Sequence, residues 1–133
     1  MTSDRETIDA PAAPAAIGPY SHAVRAGSLL FCSGQIPLDP VSGDLVGASA
    51  AEQAHQCLKN LTAVCEAAGA SLADAVRLTV YMTDLSAFAE VGEVYATFFP
   101  DAPPARVAVG VAALPRGAQV EIDAVVSLAT PPA

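Results

Sequence analysis

Residues 76–82, VRLTVYM, place Val76, Leu78, Val80 and Met82 on one side of an extended chain and Arg77, Thr79 and Tyr81 on the other. Alternation of this length specifies a strand with one face in a core, because successive side chains leave a strand on opposite sides. On either side of it the period changes. Upstream, Ala54, Leu58, Leu61, Val64 and Ala68 recur at helical spacing. Ser49 and Glu52 fit a capping box at the start of that helix, and Gly69 stands where a helix takes a left-handed residue after its end. Downstream, Leu85, Phe88, Val91, Tyr95 and Phe98 make a second apolar stripe, with Ser86 placed to cap it and Pro100 to stop it.

A strand between two one-sided helices needs further strands, and the chain supplies them. SHAVRAGSLLFCSG has two apolar runs about Ala26, Gly27 and Ser28, a hairpin pattern, and LDPVSGDLVG is a turn-rich connection. After the rigid DAPPA loop, Val107, Val109 and Val111 alternate with Arg106, Ala108, Gly110 and Ala112. Finally Val120, Ile122, Ala124 and Val126 alternate with Glu121, Asp123, Val125 and Ser127. The order is β-β-β-α-β-α-β-β, which predicts an α+β fold with both helices on one face of a sheet. A chain of 133 residues suits one domain burying roughly two-thirds of its unfolded surface. Residues 1–15, composed of Ala, Pro and polar residues, read as a flexible arm ahead of a single domain over 16–133.

Hydrophobic residues reach 53% and charged ones only 15%, which hints that other subunits cover part of the apolar surface. The net charge of -8, with no basic cluster, argues against nucleic acid and anionic membranes as partners. Cys32, Cys57 and Cys65 form no CxxC pair, so neither a disulfide framework nor a metal site is expected. Cys32 reads as a small buried hydrophobe, and His55 as a surface or core-edge residue. No apolar h-region opens the chain and no run reaches membrane length, so a cytoplasmic protein is expected.

PPARVAVGVAALP, residues 103–115, reads as a buried strand that contains one charge, Arg106. An arginine taken out of water without an anion loses several kcal/mol, so Arg106 needs a carboxylate from the protein or from a ligand. If the valines face the helices, Arg106 and Glu121 both point to the outer face of the sheet. A hairpin through ALPRGA would set Glu121 opposite Val111 and leave Arg106 about 17 Å further along. Either the strands pair differently, or the two charges meet across a subunit interface.

These residues carry a resemblance. AIGPYSHAV (16–24), CSGQIPLDPVSG (32–43), VYMTDLSAF (80–88) and PPARVAVGVAALP together resemble the Rid (YjgF-type) family of reactive-intermediate deaminases, over about residues 13–128. The resemblance implies a chorismate-mutase-like sheet with two helices on one face, assembled as a homotrimeric barrel with clefts between subunits. It implies hydrolysis of 2-imino acids (2-iminopropanoate and 2-iminobutanoate, from 2-aminoacrylate-type enamines) to 2-keto acids and ammonia, without metal or cofactor. Carried over by position, Arg106 matches the substrate-binding arginine, Tyr20 the tyrosine of the IGPY motif, Ser33 and Gly34 the cleft-lining SG, and Glu121 the acid of the last strand. Arg106, Glu121 and Tyr20 are the candidate catalytic residues; Arg106, Ser33, Gly34 and Tyr20 are the candidate substrate contacts. Ala108 and Gly92 depart from the cysteine and asparagine that many deaminases have there.

The chemistry fits these residue types. A guanidinium holds a carboxylate with two parallel hydrogen bonds and stays charged at any working pH. A carboxylate is a general base for water attacking the C=N carbon. Rival readings are a non-catalytic binder of small keto or imino acids in the same cleft, a ribonuclease, which the acidic charge disfavours, and a chaperone-like role that does not need Arg106.

Overall fold

The VRLTVYM alternation is realised as β4 (Ala75–Met82), an inner strand of a six-stranded sheet in a computed structural model that describes residues 4–128. The other strands are β1 (Arg5–Ile8), β2 (Ala23–Ala26), β3 (Leu29–Gln35), β5 (Ala105–Gly110) and β6 (Val120–Ser127); the helices are α1 (Ala50–Ala67) and α2 (Phe88–Phe98). The spatial order is β1-β2-β3-β6-β4-β5, with β4 and β5 parallel and every other pair antiparallel. Each helix therefore sits in a crossover, α1 between β3 and β4, α2 between β4 and β5, and both cover the same face of the sheet, as expected.

The alternating residues go where their period sends them. Leu78, Val80 and Met82 of β4 and Val120, Ile122, Ala124 and Val126 of β6 are buried against Leu58, Leu61 and Val64 of α1 in one continuous core. Val76 is the exception at 46% exposed, because a bulge between Ala75 and Arg77 turns it outward. Ser49 caps α1: its Oγ accepts from Glu52 N–H at 3.1 Å, and Glu52 Oε1 accepts from Ser49 N–H at 3.2 Å. Gly69 closes the helix at φ 73°, with Ala70 N–H reaching back to the Cys65 carbonyl. Ser49→Ala is expected to lower unfolding free energy by about 1 kcal/mol, a loss that a denaturant titration of the two proteins reads directly. The hairpin at Gly27 and Ser28 also forms as the turn signals predict, with Ala26 paired to Leu29.

Four expectations need correction. First, the stretch expected as a flexible arm contains an edge strand: β1 pairs with β2 from Arg5↔Ala26 to Ile8↔Ala23. The segment after β1 is pinned by buried His22, whose Nδ1 accepts from Ala10 N–H at 3.0 Å, leaving Nε2–H to donate to the Pro14 carbonyl at 2.7 Å. Ala10 and Ala13 are buried as a result. Second, Asp84, not Ser86, accepts the backbone bond at the entry to the second helical segment. It caps a short turn at Leu85–Ala87 that leads into α2. Third, β5 and β6 do not form a hairpin; β4 lies between them. Fourth, β5 is an exposed edge strand, not a buried one. Its direct neighbours on β4 set its faces. Arg106, Ala108 and Gly110 stand beside Leu78, Val80 and Met82 on the helix side. Val107 and Val109 face outward, 43% and 37% exposed, together with half-exposed Phe31 of β3.

Candidate active site

The bulge in β3 between Cys32 and Gln35 places Ser33 and Gly34 beside the start of β6. Close approach there requires glycine: a Cβ at position 34 would run into Oε2 of Glu121. The loop after the pinned arm brings Tyr20 alongside, and the turn before β6 brings Arg116. The result is a cavity of about 450 Å³ lined by Ile17, Tyr20, Gly34, Ile36, Arg116 and Glu121, among others.

Glu121 is the acid at this cavity. Burial raises its carboxyl above the ordinary value, and the neighbouring Asp123 charge adds to the rise. Asp123 in turn accepts from the Tyr81 hydroxyl at 2.9 Å. Tyr20 is half-exposed, and its hydroxyl accepts from Ile17 N–H at 3.3 Å, so its proton stays free to donate into the cavity. Ser33 is placed differently. Its hydroxyl donates to the Ser21 carbonyl at 2.6 Å, and its N–H donates to the His22 carbonyl, so it ties the bulge to the arm. Only its acceptor lone pairs remain for a ligand. Gly34→Ala is expected to push the Glu121 side chain aside, lowering turnover about tenfold while the melting temperature holds, because the clash is with the far end of a flexible side chain. An unchanged rate would mean that Glu121 does not act from the position seen.

Arg106 is not at this cavity. It leaves β5 on the helix face, with its guanidinium carbon 4.9 Å from the Phe88 ring centre and 5.5 Å from that of Tyr95. Among the described residues no carboxylate pairs with it. Arg106 stands beside Leu78 and Glu121 beside Tyr81 in the register. Strand spacing and rise then put their backbones roughly 14 Å apart, and their side chains leave opposite faces. The expectation that both lie on one side of the sheet is thus corrected: Leu78, beside Arg106, and Tyr81, beside Glu121, are three residues apart on β4 and leave it on opposite faces. Gly92 lies on α2 between Phe88 and Tyr95, and a Cβ there would meet nothing within 4 Å; Ala108 follows Arg106 by two residues on the same face of β5.

Three groups near the cavity escaped the sequence reading. Gln53, Gln56 and Asn60 form a buried polar row on α1. Asn60 Nδ2 donates to the Leu38 carbonyl at 3.0 Å, Gln56 Nε2 to Asn60 Oδ1 at 2.9 Å, and Gln53 Oε1 accepts from Gln119 N–H at 2.7 Å. They hold the cavity's loop walls, since a buried loop must find partners for its carbonyls. A spacing of three, four and seven residues is the signal that was available. His22 is the second group. Arg116 is the third, at the only non-glycine positive φ among the described residues. Cys32, Cys57 and Cys65 are buried, as expected for Cys32. A hydrogen bond to Cys65, together with burial, pushes the Cys32 thiol far up, so it is no nucleophile. His55 packs its ring edgewise on Phe98 at the surface. Among the described residues no helix is long and apolar enough to cross a membrane, and no cluster of three or more His, Cys, Asp or Glu side chains could hold a metal.

Comparison with known proteins places this arrangement. The Endoribonuclease L-PSP family profile matches residues 10–128. A RutC family protein of Sinorhizobium fredii is 53% identical over 123 residues, 92% of this chain and 98% of its own length. The 2-iminobutanoate/2-iminopropanoate deaminase of Mus musculus is 48% identical over 121 residues, 91% of this chain and 90% of its own. Among solved structures, RidA from an Antarctic Psychrobacter superposes with a TM-score of 0.89 at 45% identity, covering 92% of this chain and 99% of that one. E. coli TdcF with bound serine superposes with a TM-score of 0.88 at 40% identity, covering 93% and 99%. With the two-helix, six-strand architecture, the IGPY, SGQIP and PAR…LP motifs and these matches agreeing over nearly the whole chain, the protein belongs to the Endoribonuclease L-PSP (YjgF/RutC) family, the family of the Rid proteins.

Proposed function

We propose that the protein hydrolyses 2-imino acids, such as 2-iminopropanoate and 2-iminobutanoate, to 2-keto acids and ammonia. The observation that carries this reading is Glu121: a half-buried carboxyl with a raised pKa, at a cavity of small-metabolite size, beside a free tyrosine hydroxyl. A relative at 48% identity is named for this reaction, and the TdcF neighbour holds serine, an amino acid with the same carboxylate next to a nitrogen-bearing carbon.

Water attacks C2 of the protonated imine, and Glu121 takes the proton that water loses. Glu121 returns that proton to the carbinolamine nitrogen, which leaves as ammonia as the C–N bond breaks, while the carbinol O–H proton passes back to the Glu121 carboxylate and the keto acid forms. A carboxyl whose pKa lies above the ordinary value serves both steps better than a fully solvated one. Tyr20 donates to the substrate, and the Gly34 backbone permits its close approach. Arg106 holds the substrate carboxylate.

Arg106 and Glu121 are on opposite faces of one chain, so this mechanism needs two copies, with the arginine of one at the cavity of the next. The half-exposed outer-face residues Phe31, Val107 and Val109 are apolar surface of the kind a subunit buries. A homotrimer is the assembly proposed, in the cytoplasm, with a small imino or keto acid as ligand and neither nucleic acid nor cofactor involved. The net charge of -8 supports this against RNA cleavage. The test is a coupled assay: a serine or threonine dehydratase generates the imine, semicarbazide competes for it, and the protein suppresses semicarbazone formation. A folded protein that suppresses none, over several precursors, leaves a keto- or imino-acid binder in place of the enzyme.

A further inference from the structure

Arg116 has a backbone that its residue type does not favour. Leu114, Pro115, Arg116 and Gly117 form a tight turn closed by Gly117 N–H to the Leu114 carbonyl at 3.3 Å. Arg116 occupies the third position, at φ 62°, ψ 15°. That position calls for glycine or asparagine, and a glycine stands one residue later, itself at φ 72°. A left-handed arginine costs about 1 kcal/mol. Such strain persists where the side chain is used, and inference runs from the observed outlier to a role.

Its surroundings point to the role. Arg116 lines the same cavity as Glu121 and Tyr20. Its guanidinium makes a long bond to the Gly43 carbonyl, 3.4 Å, at the surface. Among the described residues no carboxylate pairs with it. So the cavity wall carries a cation with almost all of its five donors unused. The chain's net charge is -8, so an anionic ligand approaches against the overall field unless a local cation draws it in. The proposed reaction already assigns the substrate's C1 carboxylate to Arg106. Arg116, on another element, is free for a second anionic group.

We propose that Arg116 is a specificity-determining residue that favours 2-imino acids with a second carboxylate on the side chain. This rests on the deaminase reading for its kinetic test, but the anion preference stands on the cavity alone. The chemical class is a four- or five-carbon dicarboxylic 2-imino acid, the kind an oxidase forms from an acidic amino acid. The guanidinium fork matches the distal carboxylate with two hydrogen bonds, as lysine cannot.

The experiment compares wild type, Arg116→Gln and Arg116→Lys on imines made in situ by amino-acid oxidases from glutamate and from leucine, with semicarbazide competition. The expected result is a roughly tenfold rise in KM for the glutamate-derived imine in Arg116→Gln. Its kcat is unchanged, the leucine-derived imine is unaffected, and Arg116→Lys lies between. Equal effects on both imines, or none on either, would overturn the proposal. If wild type deaminates neither these imines nor those from serine and threonine dehydratase, the deaminase reading fails, and binding is decided by titration calorimetry with 2-oxoglutarate and 2-oxobutanoate. Wild type should then bind 2-oxoglutarate more tightly, and Arg116→Gln should lose that preference. Equal affinities in wild type would sink the anion site independently of catalysis.

Discussion

Arg106→Ala is expected to lower kcat/KM for 2-iminobutanoate by about two to three orders of magnitude, the loss typical of removing one partner of a desolvated, hydrogen-bonded charge pair. Its stability should change by about 1 kcal/mol or less, since in the single chain the guanidinium only rests against the Phe88 and Tyr95 rings and remains exposed. A variant that melts like wild type but no longer suppresses semicarbazone formation is the supporting outcome; a variant that keeps its rate breaks the carboxylate assignment. The opposite-face geometry adds a stricter test. Co-refolding Arg106→Ala with Glu121→Gln should restore activity from two nearly inactive proteins. Some interfaces then pair an intact arginine with an intact glutamate, about a quarter of them under random assortment around a head-to-tail ring. A mixture that stays inactive while forming hybrid oligomers would show that both residues act within one chain, against the faces seen here.

Glu121→Gln should lower kcat about hundredfold with little effect on KM, as expected for a general base. The pH profile carries the finer content. Burial first, and the Asp123 charge second, raise the Glu121 carboxyl above its ordinary value. The base must be ionised, so wild-type activity should fall on acidification through a pKa higher than that of a solvated glutamate. Asp123→Asn removes the like charge, lowers that pKa, and should move the acidic limb to lower pH. A limb that stays put in Asp123→Asn, or persists in Glu121→Gln, assigns it to another group. For stability the sign is opposite. A carboxyl whose folded pKa is raised favours folding below its unfolded pKa, and that contribution is lost as pH rises through the folded value. Glu121→Gln should therefore be no less stable than wild type at neutral pH.

Much of this was legible in residue order because it depends on neighbours in the chain. A capping box is a contact over three residues, so Ser49 and Glu52 announce the start of α1. A two-residue hairpin is set by Gly27 and its flanks, and the core faces of β4 and β6 follow from alternation alone. The IGPY, SGQIP and PAR…LP motifs told the family. Local pattern failed where a distant partner overrode it. Residues 5–8 are a strand only because β2 offers an edge, and a histidine twelve residues beyond Ala10 holds the segment between β1 and β2 in place. The glutamines and asparagine of α1 look like a solvated face until the loops to whose carbonyls they donate are in place.

Residue order alone thus specified the elements other than β1, the capped helix, the composition of the core and the family. Long-range pairing settled which strands meet, and through that which way Arg106 points. Alternation gives two faces but does not say which is inner. That depends on register against a neighbour: Arg106 stands beside inward-facing Leu78 of β4, so the small residues of β5, and not its valines, face the helices. The pairing of β3 with β6 brought Gly34 to Glu121, at one cavity with Tyr20 and Arg116 from separate loops, while the β4–β5 register left Arg106 on the other face.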